Sequence, residues 1–453
     1  MSSECEFSCK AKVRTLLENR NLKINFLGAG GVGMYPLCIL AKELGYRVTG
    51  SDRDENSLIR ELSKSGVEIS GVKEDTELLV TTLAAPSDEK SILAAKEMGI
   101  PITRRPSFLG ALMERYRVRI GVSGSHGKST VTGMLSHIFE CSGKNPTTLC
   151  GAIMPGVDSP LRLGDQNTLI YEACEYKDAF LDFSPSLAIY SNLELDHVDY
   201  FSCLEDIKES FRRAMNTAEV SLINADDKNL LSVSCDTSSR VIKVGTSPGC
   251  DYIISESAGN VGYYSYKLTR GEESCVVRLS ILGRFNVYNS ALAIAAAREY
   301  GISLKAGAAA IAGFFGVLRR LERLGEINGR GVYYDYAHHP TEIKESINAI
   351  KESGGGKVTV IFKPHTYSRT KALFSEFCEA LSLADSVLLL DVCGIREDYD
   401  PEVSSVALAE KIGAHGRKIE ENEVLDAIPK DTDTVIIMGA ADLTYIKKMI
   451  TGA

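Results

Sequence analysis

The feature that most restricts the fold is a glycine-rich loop between an apolar run and a helix-forming segment. Gly121 and Gly127 bracket five residues ahead of a Lys-Ser pair, and we interpret this stretch as a phosphate-binding loop. The apolar run at 118–122 predicts a strand before it, and 128–141 predicts a helix after it. In that arrangement the backbone N–H groups of the loop and the N-terminus of the helix would face one bound anion. A strand, a glycine loop and a helix in this order are typical of an α/β fold, which the sequence therefore predicts.

The length and the alternation of strands with helices predict three α/β blocks. At roughly 100–200 residues per domain, 453 residues exceed one ordinary core. We expect a Rossmann-like N-terminal domain at 1–117 and a central ATPase-type α/β domain carrying the phosphate loop at 118–317. A Rossmann-like C-terminal α/β domain follows at 318–453. The joins near 117 and 317 lack a proline-rich linker, which leaves each of them uncertain by about ten residues.

The composition argues against several classes of protein. The net charge is −9, whereas general nucleic-acid binders are more often basic, so we expect no nucleic-acid partner. No apolar run reaches the roughly 20 residues that span a bilayer, and the first ten residues lack an apolar signal core. We therefore expect a cytoplasmic protein with no membrane partner. The 12 cysteines form no Cys-x-x-Cys pair and are interpreted as reduced thiols.

The phosphate loop predicts specific chemistry. Lys128 would neutralise charge on the β- and γ-phosphates, and the hydroxyl of Ser129 or Thr130 would bind Mg²⁺. Glu172 and His197 each follow an apolar run, at strand ends where ligands of open α/β sheets collect. Either could instead be an ordinary strand-end carboxylate or turn histidine. Cys174, in the same stretch, is interpreted as a packed strand residue because no neighbouring base is evident.

A second glycine-rich loop lies near the N-terminus. Gly28, Gly30, Gly31 and Gly33 follow an apolar run, and Asp52 comes about 20 residues later. This arrangement resembles a dinucleotide fingerprint, which favours a bound diphosphate without specifying the nucleotide. A tight turn with no ligand is the alternative.

Two loops near the C-terminus are rich in histidine and positive charge. They occupy 335–340 and 362–370, and each follows a predicted strand. We interpret them as an anion site in which Arg369 pairs with a carboxylate in bidentate fashion. A zinc site formed by the three histidines and a solvated loop are the alternatives, and the zinc site lacks an evident fourth ligand.

Together these loops resemble those of the Mur ligase family over nearly the whole chain. Residues 28–52 are similar to the family's UDP-binding start, and 124–130 are similar to its ATP loop. Residues 172–176 and 192–197 resemble its metal-binding stretches. The loop at 365–369 favours the alanine-adding branch of the family over the murein-peptide branch.

The resemblance implies an activity, its cofactors and its site residues. It implies an ATP- and Mg²⁺-dependent ligase that joins L-alanine to the carboxylate of UDP-N-acetylmuramate through an acyl phosphate. Monomer and homodimer both remain open. The ATP-binding residues would be Gly124, Ser125, His126, Gly127, Lys128, Ser129, Thr130, Asn286, Asn289, Arg320 and Asp335. The UDP-sugar site would contain Gly28, Gly30, Gly31, Gly33, Met34, Ser51 and Asp52. The amino-acid site would contain Tyr336, His338, His365 and Arg369. The metal ligands would be Ser129, Thr130, Glu172 and His197, and the catalytic set would be Lys128, Glu172, His197, His338 and Arg369.

The chain also departs from the family pattern, and other classes of protein stay open. Phe285 stands where a histidine commonly precedes Asn286, and Tyr334 stands where an aspartate often precedes Asp335. The alternatives are a related ligase that adds another amino acid or a murein peptide, and a UDP-sugar-binding pseudoenzyme. Two further alternatives are an NAD-dependent oxidoreductase and a regulatory NTPase. Each of them leaves one or more of the loops unexplained.

Overall fold

The computed structural model describes residues 8–394 and 397–452. Within those residues the chain forms three β-sheets, in the order along the sequence that the alternation predicts. The strands of all three sheets are rich in buried apolar side chains, because helices or a neighbouring domain cover their faces.

The N-terminal sheet is parallel throughout and has the strand order β3-β2-β1-β4-β5. Its strands are β1 (Lys23–Leu27), β2 (Arg47–Ser51), β3 (Glu68–Ile69), β4 (Leu78–Thr81) and β5 (Ile102–Arg104). Its helices are α1 (Lys10–Leu16), α2 (Tyr35–Glu43), α3 (Ser57–Lys64), α4 (Lys90–Glu97) and α5 (Arg105–Leu112). Strand order reverses beside β1, so the glycine-rich loop after β1 lies at a switch point, where open α/β sheets bind ligands.

The central sheet is mixed and has the order β15-β14-β13-β12-β11-β10-β6-β9-β7-β8. Its strands are β6 (Val118–Ser123), β7 (Thr147–Met154), β8 (Ser159–Arg162), β9 (Thr168–Glu172), β10 (Leu187–Tyr190), β11 (Val220–Asn224), β12 (Arg240–Gly245), β13 (Tyr252–Asn260), β14 (Tyr263–Arg270) and β15 (Glu273–Leu282). Its helices are α6 (Lys128–Cys141), α7 (Leu204–Met215), α8 (Lys228–Ser234), α9 (Phe285–Glu299) and α10 (Leu304–Ala312). β6 lies between β9 and β10, so the loops after these three strands meet at one edge of the sheet.

The C-terminal sheet is parallel apart from the antiparallel β16–β17 pair. Its strands are β16 (Glu322–Ile327), β17 (Arg330–Asp335), β18 (Val358–Phe362), β19 (Ser386–Leu389), β20 (Gly416–Lys418) and β21 (Thr434–Met438). Its helices are α11 (Pro340–Glu352), α12 (Tyr367–Ala372), α13 (Phe374–Leu381), α14 (Ser405–Ile412), α15 (Val424–Ala427) and α16 (Thr444–Thr451). Both histidine-rich loops leave the carboxyl ends of its parallel strands, β17 and β18.

The two domain junctions differ in their chemistry. One apolar cluster runs from the N-terminal domain into the central domain and includes Phe26, Phe108, Tyr171 and Phe211. The apolar clusters of the C-terminal domain are separate from it and contain few residues of the central domain. The C-terminal domain therefore meets the central domain mainly through polar side chains, and the candidate site lies along that contact.

Candidate active site

The phosphate loop folds as the glycine pattern predicts. Gly124 and Gly127 have φ angles of 135° and 82°, and a Cβ on either would lie 2.1 Å from Ser191 Oγ or 2.7 Å from Asn289 Oδ1. Only glycine fits both positions without displacement of a neighbour. Gly127 is the residue before α6, and the loop thus presents its backbone at the helix N-terminus, where an anion is stabilised.

Lys128 extends from the start of α6 to a carboxylate that the sequence analysis did not select. Its Nζ lies 3.1 Å from both carboxylate oxygens of Glu175 and donates to the carbonyl oxygens of Gly124 and Ser125. Glu175 is fully buried. Burial disfavours the charged lysine, but the Glu175 carboxylate outweighs it, and the pKa of Lys128 lies above its ordinary value. The sequence does contain a signal that could have identified Glu175, because this residue is the second acid of the stretch Glu172-Ala173-Cys174-Glu175.

The predicted oxygen ligands of Mg²⁺ lie around the same loop. Glu172 ends β9 opposite Val122 of β6, and its Oε1 accepts hydrogen bonds from the backbone N–H of Gly151 and from the Cys150 thiol. Ser129 and Thr130 are buried in the first turn of α6, and Ser129 Oγ accepts a hydrogen bond from Arg320 at 3.2 Å. Carboxylate and hydroxyl oxygens beside a glycine-lined phosphate cradle are the donor set that Mg²⁺ favours, so these residues fit that ion.

His197 lies on the other side of Glu175. Its Nε2 is 3.5 Å from Glu175 Oε1, and its φ of 53° places it in the left-handed region. Burial opposes its protonation, but contacts with Cys174, Glu175 and Asp196 outweigh burial and raise the pKa of His197 to about 10. The structure thus brings the predicted residues Lys128 and His197 together through one shared carboxylate.

A cavity of about 270 Å³ opens between the central and C-terminal domains beside the phosphate loop. Its lining includes seven of the residues predicted to bind ATP, namely His126, Gly127, Thr130, Asn286, Asn289, Arg320 and Asp335. Asn286 donates to the Leu282 carbonyl at 2.7 Å, and Asn289 donates to Asn286 at 2.9 Å. Phe285, Tyr288 and Phe315 add aromatic surface to the wall, so the cavity offers an apolar region for a flat ring system.

His126 joins the two domains at the edge of this cavity. Its Nε2 lies 3.3 Å from Glu194 of the central domain, and its Nδ1 lies 3.3 Å from Glu342 of the C-terminal domain. Burial opposes protonation, but the two carboxylates outweigh it and raise the pKa of His126 to about 10. Thr341 also donates to Glu194 at 2.7 Å. The sequence analysis selected neither Glu194 nor Glu342.

Arg369 has a partner that the sequence analysis did not assign to it. Its Nε and Nη2 donate to Asp196 Oδ1 at 3.0 and 2.7 Å, and both side chains are almost fully buried. Because Asp196 follows β10 and Arg369 lies in α12, this ion pair also joins the central and C-terminal domains. One edge of the guanidinium is thereby occupied by protein.

The other predicted residues of the amino-acid pocket surround His338. Its Nδ1 lies 3.1 Å from the Tyr336 carbonyl oxygen, and the ring centres of His338 and His365 are 6.0 Å apart. Burial lowers the pKa of His338 to about 3, although Glu342 acts in the opposite direction. The imidazole is therefore neutral at pH 7.

The N-terminal loop is organised by its own acid. Asp52 Oδ2 accepts a hydrogen bond from the Gly30 N–H at 2.8 Å, and Gly28 has a φ of 80°. The Gly28 N–H donates to the Ser51 carbonyl at 2.8 Å, and Arg105 donates to the Gly33 carbonyl at the same distance. The predicted UDP-site residues Gly31 and Met34 lie in the turns between β1 and α2. The structure brings these residues together at the switch point of the N-terminal sheet.

Three family profiles match successive parts of the chain. Residues 23–117 match the profile described as "Mur ligase family, catalytic domain". Residues 122–297 match "Mur ligase middle domain", and residues 319–441 match "Mur ligase, glutamate ligase domain". The UDP-N-acetylmuramate–L-alanine ligase of Caldicellulosiruptor saccharolyticus is 36% identical, with 94% of this chain and 98% of that protein covered. That of Lachnospira eligens is 36% identical, with 94% and 97% covered. The chain belongs to the Mur ligase family, as the loops predict.

Solved structures show the same three-domain architecture. The UDP-N-acetylmuramate-alanine ligase MurC of Thermotoga maritima has a TM-score of 0.80 at 24% identity, covering 95% of this chain and 99% of that one. A murein peptide ligase from Psychrobacter arcticus has a TM-score of 0.71 at 23% identity, covering 95% and 98%. The predicted fold class, three α/β domains with Rossmann-like terminal domains, is confirmed. In the part of the chain that the structure describes, no helix is long and apolar enough to span a bilayer.

Proposed function

We propose that this chain is an ATP-dependent ligase that joins L-alanine to the carboxylate of UDP-N-acetylmuramate, releasing ADP and phosphate. The observation that carries the proposal is the near full-length match, at 36% identity, to proteins named for this reaction. The geometry supports it, because His126 of the phosphate loop and His339 of a histidine-rich loop lie against each other, with ring centres 4.7 Å apart. A product of this kind is a precursor of peptidoglycan.

Lys128 is proposed to govern the first step. A carboxylate is a poor acyl donor, so the γ-phosphoryl group of ATP is transferred to it and gives an acyl phosphate. That step brings two anions together, and fixed positive charge at the site lowers its barrier. Lys128 stays protonated beside Glu175, and Arg320 reaches the phosphate loop from the C-terminal domain. Both cations are therefore placed to stabilise the transferred phosphoryl group.

Mg²⁺ is proposed to bind at Ser129, Thr130 and Glu172, with His197 near a second ion. When bound, the ion would screen phosphate charge and polarise the phosphoryl group. The Gly151 N–H and the Cys150 thiol both donate to Glu172 Oε1 and fix the orientation of this carboxylate.

The C-terminal domain is proposed to supply the amino-acid pocket. Arg369 has one guanidinium edge on Asp196, and its remaining N–H groups would hold the carboxylate of L-alanine. His338 is neutral, so its imidazole can accept a hydrogen bond from the attacking amine. Because burial lowers the pKa of His338 to about 3, it would be a weak base, and its proposed role is to orient the amine. Tyr336 and His365 would complete the pocket.

UDP-N-acetylmuramate is proposed to extend from the N-terminal glycine-rich loop to the cleft between the central and C-terminal domains. The backbone of the exposed Gly31 and the half-buried Gly33 would contact the diphosphate of the UDP-sugar, and Asp52 would fix the loop through the N–H of the buried Gly30. The cavity beside Asn286 and Asn289 would hold adenine, with Asp335 and Arg320 toward the ribose and phosphates.

We also propose domain limits near 117 and 317, and action in the cytoplasm, where ATP is available.

Phosphate release tests the proposal directly. The full chain is mixed with MgATP and UDP-N-acetylmuramate, and each amino acid is added singly. Release that requires both the UDP-sugar and L-alanine, with the amide product seen by mass spectrometry, is the expected result. Release with a murein tripeptide and none with L-alanine would assign the chain to the peptide-adding branch. Binding of the UDP-sugar without release for any amine would overturn the catalytic proposal.

A further inference from the structure

Glu342 is a largely buried carboxylate to which the proposed reaction assigns no role. It is the third residue of α11, and its side chain is 13% exposed. One of its oxygens, Oε2, lies beside His338 of the amino-acid pocket, and the other, Oε1, lies beside His126 of the phosphate loop. A single carboxylate therefore contacts both halves of the candidate site.

On the side of the amino-acid pocket, Glu342 restricts the imidazole of His338. Oε2 accepts a hydrogen bond from the His338 backbone N–H at 3.0 Å and lies 3.3 Å from the ring nitrogen Nδ1. The Tyr336 carbonyl oxygen lies 3.1 Å from the same nitrogen. An ionised carboxylate and a carbonyl oxygen can only accept hydrogen bonds, so the proton of the neutral imidazole resides on Nδ1, and Nε2 keeps its lone pair.

The charge of Glu342 is maintained by its neighbours. Burial disfavours the ionised form, but the histidines His338 and His126 and the guanidinium of Arg320 outweigh burial and hold the pKa of Glu342 well below its ordinary value. The carboxylate is therefore ionised at neutral pH and cannot donate a proton to Nδ1.

On the side of the phosphate loop, Glu342 has two further contacts. Oε1 lies 3.3 Å from His126 Nδ1 and 3.9 Å from Arg320 Nη1. His126 belongs to the phosphate loop itself, and Arg320 donates to Ser129 Oγ in the first turn of α6. These contacts fix Glu342 relative to the place where the γ-phosphoryl group would be transferred.

We propose that Glu342 is a positioning residue of the ligase, which keeps Nε2 of His338 as the hydrogen-bond acceptor for the attacking amine and joins His338 to the phosphate loop. The arrangement is that of a carboxylate that orients a histidine in a catalytic triad. With its proton on Nε2, the imidazole could only donate to the amine and would occupy the lone pair that attacks the acyl carbon. The role in catalysis rests on the proposed function, whereas the position of the proton does not.

Glu342 also has a structural role that the test must separate from this one. It completes a capping box at the start of α11, where its side chain accepts a hydrogen bond from the His339 backbone N–H at 3.3 Å. Glutamine serves in a capping box as glutamate does. Glu342→Gln therefore keeps the cap and a neutral acceptor for His338 Nδ1, whereas Glu342→Ala removes both.

Nitrogen NMR of the histidine side chains measures where the proton resides. The full chain contains seven histidines, and the resonances of His338 are those missing from His338→Gln. At neutral pH we expect the Nδ1–H tautomer in the unaltered chain and in Glu342→Gln, and a substantial population of the Nε2–H tautomer in Glu342→Ala. A proton on Nε2 in the unaltered chain, or an unchanged tautomer in Glu342→Ala, would overturn the proposal.

Thermal melting checks that each variant is folded. If Glu342→Ala is not folded, Glu342→Gln carries the test, because a neutral acceptor binds the Nδ1 proton less strongly than a carboxylate does. The Nδ1 resonance of His338 should then shift, and an unshifted resonance would contradict a contact with Glu342.

Turnover tests whether Glu342 acts through His338. Glu342→Ala is expected to lower kcat for L-alanine-dependent phosphate release at least about tenfold, and Glu342→Gln is expected to lower it less. Combined with His338→Gln, Glu342→Ala should cost much less than it does alone, because a positioning residue has little effect once the group it positions is gone. Losses that multiply in the double variant would overturn the positioning role.

Glu352→Ala is the matched control. Glu352 ends the same helix, about 15 Å along its axis from Glu342, and it also joins the C-terminal and central domains, since the Tyr264 hydroxyl donates to it at 2.8 Å. We expect a rate within about twofold of the unaltered chain and an unchanged His338 tautomer. A loss as large as that of Glu342→Ala would show that only the domain contact matters. Absence of turnover in the unaltered chain would overturn the proposed function, and the NMR result would then decide the contact between Glu342 and His338 by itself.

Discussion

At the scale of single residues, the buried pair Lys128–Glu175 combines a structural and a chemical role. Removing the lysine takes one of two cations from the fully buried Glu175 carboxylate and leaves His197 at 3.5 Å, and loss of one partner of a buried pair costs up to about 3–5 kcal/mol. The same change removes a cation from the phosphate site, which is expected to lower phosphate release at least ~100-fold. Lys128→Ala is therefore expected to lower both the melting temperature and the rate.

A second substitution separates the two roles. Lys128→Ala combined with Glu175→Gln also removes the buried carboxylate that has lost its lysine, so we expect the melting temperature to recover while the rate stays low. Calorimetry measures the melting temperature, and the phosphate-release assay measures the rate. Recovery of the rate in the double variant would contradict the assignment of Lys128 to the chemical step.

The ion-pair partners at the site show what the sequence could not supply. The glycine loop, Lys128 and Glu172 follow a local pattern, so the sequence predicts their positions. Glu342 is visible in the sequence only as the acid three residues after His339, where it caps α11. Its contact with His126 depends on how two domains meet, and no local pattern contains that information. The same is true of the Asp196–Arg369 pair.

At the scale of elements, the docking of α5 depends on one glycine. A Cβ on Gly110 would lie 2.3 Å from the Asp182 carbonyl oxygen, across the junction of the N-terminal and central domains. Gly110→Ala is therefore expected to force the helix outward and to cost about 1–3 kcal/mol of unfolding free energy. Urea unfolding of the full chain measures that cost.

Gly71→Ala is the matched control. A Cβ at Gly71 meets nothing within 4 Å, and the residue is exposed in a loop. We expect a change within about 0.5 kcal/mol. If the two variants unfold at the same urea concentration, the steric argument for α5 is wrong.

Elements also differ in how fully the sequence predicts them. Helix α6 has the predicted bounds of 128–141, and the apolar runs at 358–362 and 434–438 predict the bounds of β18 and β21. Turns and buried apolar runs define both ends of these elements. The sequence of 240–282 by itself predicts short strands with turns, whereas the region includes the long antiparallel strands β13, β14 and β15. These strands are partly exposed and contain register shifts, so strict alternation of apolar and polar residues is lost.

At the scale of the whole molecule, His126 is expected to make closure of the C-terminal domain depend on pH. Its ordinary pKa of 6.5 rises to about 10 between Glu194 and Glu342. Glu194 lies in the same domain as His126, so only the contact with Glu342 contributes to closure, and that contribution is lost as the pH rises through about 10. The pKa of Glu194 falls from 4.5 to about 2, so its contribution is present above about pH 4.5 and is lost as the pH falls through about 2.

Small-angle X-ray scattering measures this opening. We expect the radius of gyration of the ligand-free chain to grow as the pH rises from neutral through about 10. His126→Gln cannot titrate, so its radius should change less over that range. An unaltered radius in the original chain, or equal growth in both proteins, would show that His126 does not control closure.

The two domain junctions also imply opposite responses to the solvent. Apolar contact weakens on cooling, and the junction of the N-terminal and central domains is an extended apolar cluster. Ion pairs weaken as salt screens them, and the pairs His126–Glu342 and Asp196–Arg369 join the C-terminal domain to the central domain. Cooling would therefore weaken the junction of the N-terminal and central domains, whereas high salt would weaken the junction of the central and C-terminal domains. The same protein would separate at a different junction under each condition.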